Sequence, residues 1–161
     1  MLDLNELCGM RGKNAVITGA ASGLGAGIAR FFAAAGVKVL LLDINEKGGE
    51  EVAAEIRAGG GEAAFMRCNV TSQADCAAAA EAAFRRWGGI DCLVNCAGAT
   101  RRRTVEDLEE KDWDLVLNVT LKSVYLMCHN VVPYMKKQGH GKIVNIGSGW
   151  ALKGGDQAVA Y

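Results

Sequence analysis

Short apolar runs alternate along the chain with longer stretches whose apolar residues recur at helical spacing. Residues 15–17, 37–42, 62–68, 90–94 and 142–146 read as five strands. Their near-continuous hydrophobicity is what a parallel sheet covered on both faces requires. Four helices separate them. The first opens at Gly23, carries Leu24, Ile28, Phe31, Phe32 and Ala35 as its apolar face, and stops at Gly36. The second covers residues 46–58 and ends in Gly59-Gly60-Gly61. An alanine-rich third runs to Trp87, opened by the capping box Ser72-x-x-Asp75 and closed by Gly88-Gly89. The fourth, residues 111–138, is apolar on most sides (Trp113, Val116, Leu117, Val124, Met127, Val131, Met135). It is expected to be buried on two faces, one of them against a partner subunit, and to kink at Pro133. A loop then reaches Tyr161. Strict alternation of strand and helix predicts an α/β fold, a doubly wound parallel sheet with right-handed crossovers.

The richest chemistry lies between the first two strands. Thr18-Gly19-Ala20-Ala21-Ser22-Gly23-Leu24-Gly25 joins a strand to a helix, and its glycines permit positive φ and a close approach of ligand to main chain. The helix beginning at Gly23 points unpaired N–H groups and a positive dipole end over that turn, which suits a pyrophosphate. Asp43, eighteen positions beyond Gly25, fits the carboxylate that grips a ribose diol in a dinucleotide site.

Composition narrows the partners. The 161 residues are half hydrophobic and 22% charged, the profile of one globular domain spanning 1–161. Eighteen Lys plus Arg balance eighteen Asp plus Glu, so no net charge draws the chain to nucleic acid or an anionic membrane. No apolar run in the sequence suggests a bilayer span, and residues 1–13 carry acids without an apolar signal core, so a cytoplasmic location is expected. Cys8, Cys68, Cys76, Cys92, Cys96 and Cys128 form no C-x-x-C or zinc spacing and read as free thiols, with no metal site. Asn69-Val70-Thr71 and Asn118-Val119-Thr120 match the glycosylation triplet, which carries no meaning without secretion. The run Arg101-Arg102-Arg103 reads as a solvated loop and receives no role.

Taken in order, these motifs resemble the short-chain dehydrogenase/reductase family along nearly the whole chain, a Rossmann-like fold left incomplete after the fifth strand. Thr18-Gly19 through Gly23-Leu24-Gly25 is similar to that family's cofactor turn, which implies that Gly19, Ser22, Gly23, Leu24 and Gly25 cradle NAD. Asn69-Val70 is similar to the pair flanking the adenine. Asn95-Cys96-Ala97-Gly98 resembles the motif ending the fourth strand, with Cys96 in place of an asparagine, and implies cofactor contacts from Asn95, Ala97 and Gly98. Residues 143–148 resemble the strand leading to the catalytic serine, here Ser148, and thirteen positions on stands Tyr161 at the place of the catalytic tyrosine. The resemblance implies hydride transfer between a nicotinamide and a small-molecule alcohol or carbonyl. Tyr161 would exchange a proton with the substrate oxygen and Ser148 would hold that oxygen. It also implies a homo-oligomer in the full-length form.

Two departures stand out. Thr120 occupies the position, seven beyond Trp113, where the family has its active-site asparagine. The family's lysine, four residues after its tyrosine, falls past residue 161. The expectation is that this chain is the N-terminal portion of a longer enzyme and inactive alone. A non-catalytic nucleotide-binding or interaction module is the alternative.

Overall fold

A computed structural model describes residues 9–161; Cys8 and most of the N-terminal segment considered above lie outside the described residues. Five strands form one parallel sheet: β1 Asn14–Thr18, β2 Lys38–Asp43, β3 Ala63–Arg67, β4 Cys92–Asn95 and β5 Lys142–Asn145. Their spatial order is β3-β2-β1-β4-β5, the doubly wound arrangement expected from the alternation. The order reverses between β1 and β4, and a crevice opens there at the carboxyl ends of the strands.

Helices α1 (Gly23–Ala34) and α2 (Glu46–Ala58) cover one face of the sheet. On that side Ala15, Ile17, Val39, Leu41 and Val94 form the core with Ala26, Ala29, Ala33, Val52 and Ile56. The opposite face is covered by α3 (Gln73–Trp87) and the long helical stretch Glu110–Gln138. There Val16, Leu40, Leu42 and Leu93 meet Cys76, Ala79, Ala83, Met127, Val131 and Met135. Successive strand residues thus serve alternate cores, so both must be apolar.

Several expectations need correcting. α1 buries Gly25, Ala26, Ala29 and Ala33; of the expected apolar face Ile28 and Phe32 pack partly buried against the core and Ala35 is buried, but Leu24 and Phe31 are more than half exposed. Small residues let the helix lie close to the sheet, a face that hydrophobicity alone conceals. β4 begins at Cys92: Ile90 donates its backbone N–H to the Gln138 side-chain oxygen (3.1 Å) and its C=O accepts from the Gln138 amide (2.7 Å), so neither group pairs with a strand. The long stretch divides into α4 (Glu110–Leu117), a π-helical segment Asn118–Lys122 and α5 (Ser123–Gln138). Its departure from α-helical bonding therefore lies at 118–122, and α5 continues past Pro133 to Gln138. One face is buried, through Val116, Ser123, Leu126, Met127, Val131 and Met135, while Trp113, Leu121 and Tyr125 are exposed. By length and composition this 29-residue stretch could cross a membrane, contrary to the sequence reading; its buried face lies against α3 and the sheet. After the exposed β5, a short helix α6 (Trp150–Lys153) interrupts the expected loop.

Candidate functional site

The crevice at the β1/β4 reversal is a cleft of about 400 Å³. The sequence-predicted residues Gly19, Ser22, Gly23, Leu24, Gly25, Asp43, Asn69, Val70, Ala97 and Gly98 all line it, with Ile44, Cys68, Cys96 and Val119. They arrive from the carboxyl ends of four strands, which is why residues far apart in sequence share one wall.

The turn after β1 is shaped by its glycines in two different ways. Gly19 sits at φ +67°, and a Cβ there would lie 2.9 Å from the Ala97 backbone. At Gly25 a Cβ would lie 2.2 Å from the Gly19 carbonyl oxygen. Both are required by the protein's own close approaches, a structural duty beyond the cofactor role read from sequence. Gly23 differs: its φ is +53°, yet nothing lies within 4 Å of where a Cβ would stand. That open space belongs to the cleft.

Helix starts differ tellingly. α2 has the Asn45 side chain accepting from Gly48 N–H, and α3 has Ser72 accepting from Asp75 N–H. Each also carries an acid in its first turn. α1 has Ser22 at its N-cap with no side-chain cap bond and no acid in its first turn. Its positive end is therefore left for a group from outside, as a bound anion would require.

Asp43, at the tip of β2, accepts the Ala21 N–H (3.0 Å) and the Asn45 N–H (2.9 Å). These bonds fix its carboxylate at the cleft wall while leaving acceptor capacity for a diol. Asn69 and Val70 are set by Asp75, whose carboxylate accepts the Asn69 N–H (2.9 Å) and the Ser72 hydroxyl (2.8 Å). The Asn69 N–H, followed by the Ser72 hydroxyl, holds the Asp75 carboxyl below its ordinary range.

Thr18 is the residue to which sequence reasoning gave no role. Buried at the end of β1, its hydroxyl oxygen accepts the N–H groups of Cys96 and Ala97, both at 3.0 Å. One side chain thereby joins the glycine turn to the loop after β4. A threonine opening a glycine-rich turn was the available signal.

Asn95 is not among the lining residues. It lies buried beneath the cleft, donating from its amide to the Asn145 side-chain oxygen of β5 (2.8 Å). Its place at the end of a strand directs it into the sheet interior, so it positions β4 and β5 rather than lining the wall. Thr120 lies in the π-helical segment. Its hydroxyl accepts from Ala99 N–H (3.3 Å) and donates to Ala99 C=O (3.1 Å), so it clasps the loop that leaves the cleft.

Ser148 and Tyr161 stand outside the cleft lining, beyond β5, and Trp150 touches both. The Trp150 N–H donates to the Ser148 hydroxyl oxygen (3.2 Å), which leaves the hydroxyl hydrogen free for another acceptor. The Tyr161 ring meets the Trp150 indole edge-on, centroids 5.9 Å apart. Among the described residues no group of His, Cys, Asp and Glu is arranged to hold a metal ion.

The short chain dehydrogenase family matches residues 13–161. D-threitol dehydrogenase of Mycolicibacterium smegmatis is 41% identical over 150 residues, 93% of this chain and 58% of that protein. 4-Formylbenzenesulfonate dehydrogenase of Comamonas testosteroni is 41% identical over 91% of this chain and 59% of its own length. Cyclopentanol dehydrogenase of a Comamonas species is 34% identical over 92% and 60%. The chain spans a little over half the length of these curated relatives.

Proposed function

The chain belongs to the short-chain dehydrogenase family, and from that premise we propose that it binds NAD in the β1/β4 cleft and serves hydride transfer between the nicotinamide and a small secondary alcohol or carbonyl. The observation that carries this reading is the start of α1: uncapped, without an acid, beside the open space at Gly23, where a pyrophosphate would find free N–H groups. The cofactor, when bound, supplies the hydride acceptor or donor. Asp43 takes the ribose diol, and Asn69, Val70, Ala97 and Gly98 line the walls around the remaining rings. Asp43 also favours NAD over NADP, since its charge repels an added phosphate and neither Ser22 nor Ile44 offers a cation.

Ser148 donates its free hydroxyl hydrogen to the reacting oxygen, and Tyr161 exchanges the proton with that oxygen. Thr120 acts through Ala99, fixing the loop that borders the substrate side. The names of the matched relatives, dehydrogenases of D-threitol, 4-formylbenzenesulfonate and cyclopentanol, support a small-molecule substrate bearing an alcohol or carbonyl. Free cysteines at 68, 76, 92, 96 and 128 fit a reducing, cytoplasmic setting. The exposed Trp113, Leu121 and Tyr125 fit a homo-oligomer in the full-length form.

Calorimetric titration of the chain with NAD and NADP tests the cofactor reading, and absorbance at the reduced-nicotinamide band with a panel of secondary alcohols tests the reaction in the full-length protein. Saturable binding that favours NAD is expected. Absence of binding by either cofactor overturns the proposal.

A further inference from the structure

Trp150 connects the residues assigned to the reacting oxygen with a charge that neither of them uses. Its indole carries the Arg102 guanidinium, with Cζ 5.2 Å from the ring centroid, and meets the Tyr161 ring 5.9 Å away. The same residue's N–H holds the Ser148 hydroxyl oxygen. We propose that Arg102, seated on Trp150, recognises an oxyanion on the substrate, so that the site prefers an alcohol or carbonyl bearing a carboxylate or sulfonate over its neutral counterpart. The inference rests on the roles proposed above for Ser148 and Tyr161.

The three consecutive arginines differ in what they touch. Arg101 pairs with Asp112 (3.2 Å). Arg103 donates from its guanidinium to the Arg102 C=O (2.9 Å) and from its backbone to the Gln157 C=O (2.8 Å). Only Arg101 has a carboxylate partner among the described residues, and Arg102 alone of the three has a guanidinium with neither an ion pair nor a hydrogen bond there. Lying over the indole at 5.2 Å costs the guanidinium none of its N–H groups, which lie in its own plane and meet no acceptor among the described residues. Those in-plane donors match the two oxygens of a carboxylate or sulfonate.

Local construction keeps this charge near the reaction centre. The Arg103–Ala158 bridge joins the loop after β4 to the segment carrying Tyr161. Gly155 lets the backbone lie against the indole, since a Cβ there would stand 2.5 Å from the Trp150 ring. The loop itself issues from the cleft: Arg102 follows Gly98 by four residues, a reach of at most about 14 Å at full extension. An anion held by Arg102 is thus within reach of a small substrate whose carbonyl faces Ser148 and Tyr161.

The test uses the chain loaded with NADH and two ligands of the same shape, 4-acetylbenzoate and 4-acetylbenzamide, titrated calorimetrically. The expected result is about tenfold tighter binding of the benzoate, the size of one charge-assisted hydrogen-bonded contact, shrinking as salt is added. Arg102→Gln should remove that ratio, Arg102→Lys should keep part of it, and Arg85→Gln on α3 should leave it intact. Equal affinities in the wild type, a ratio that survives Arg102→Gln, a parallel loss of both ligands, or no ketone binding by the NADH-loaded chain would each overturn the inference. Failure to bind NADH would overturn the cofactor reading itself, and this inference with it.

Discussion

Gly23 and Gly25 stand two positions apart in one turn, and a side chain would do different damage at each. Gly25→Ala forces a Cβ to within 2.2 Å of the Gly19 carbonyl oxygen. It should destabilise the fold by about 1–3 kcal/mol, read as a lowered Tm. Gly23→Val meets open space but must hold φ near +53°. Backbone strain of about 1–2 kcal/mol should leave the helical circular dichroism largely intact, while NAD binding is abolished by the side chain in the cleft. Equal loss of fold and binding in both variants would contradict the distinction. Asp43→Ala should relax cofactor choice, weakening NAD and improving NADP; titration with both checks this, and unchanged NADP affinity would refute the repulsion argument. Most of these positions were legible from the strand-turn-helix order. The double duty of Gly19, the hydroxyl joint at Thr18 and the inward turn of Asn95 were not, because each depends on a partner roughly eighty or fifty residues distant, Ala97 and Asn145 among them.

At the scale of elements, the amino ends of β1 and β4 are tied at the side of the sheet opposite the cleft. Asn14 N–H donates to the Asp91 carboxylate (2.9 Å), and Asp91 N–H returns a bond to the Asn14 side-chain oxygen (3.2 Å). Lys13 (3.2 Å) brings a positive charge to the same carboxylate, and the His140 ring Nε2 lies 3.0 Å from it. Burial pushes the Asp91 carboxyl up, but the Asn14, Lys13 and His140 donors outweigh it and hold the group below its ordinary range. A carboxylate with a depressed folded pKa stabilises the fold above its unfolded value, near ~3.9, and loses that contribution as pH falls through the folded value. Stability should therefore drop below about pH 4 in the wild type. Asp91→Asn should flatten that part of the profile and lower Tm at neutral pH; an unaltered acid limb in urea melts would refute it. Element order and most boundaries followed from periodicity and glycine stops, whereas helix faces did not. α1 turns its alanines inward because closeness to the sheet outweighs the area that Phe31 would bury. The π-helical segment at 118–122 coincides with bonds that periodicity cannot register: the Ser123 hydroxyl donates to Val119 C=O (2.6 Å), and Thr120 clasps Ala99.

Across the whole molecule, the cleft is walled by the ends of β1, β2, β3 and β4, so an occupant bridges most of the sheet. A ligand that binds only the folded state at a hundred times its Kd adds about 2.7 kcal/mol. For a chain of this size NAD should then raise Tm by roughly 5–10 °C, a shift that Gly23→Val should erase. The doubly wound parallel sheet was legible because alternating strands and helices with right-handed crossovers leave few topologies, while α6 was too short to announce itself. The sheet also sorts the thiols. Cys68 and Cys76 belong to the core beneath α3 and α5 with Cys128 packed against it, whereas Cys92 and Cys96 pack against the core beneath α1 and α2. Cys68 and Cys96 also line the cleft, which leaves Cys76 and Cys128 to report one layer and Cys92 the other. The chain thus contains its own pair of clocks for unfolding. In pulsed alkylation followed by mass spectrometry, the order in which the two sets gain label would reveal which layer peels from the strands first.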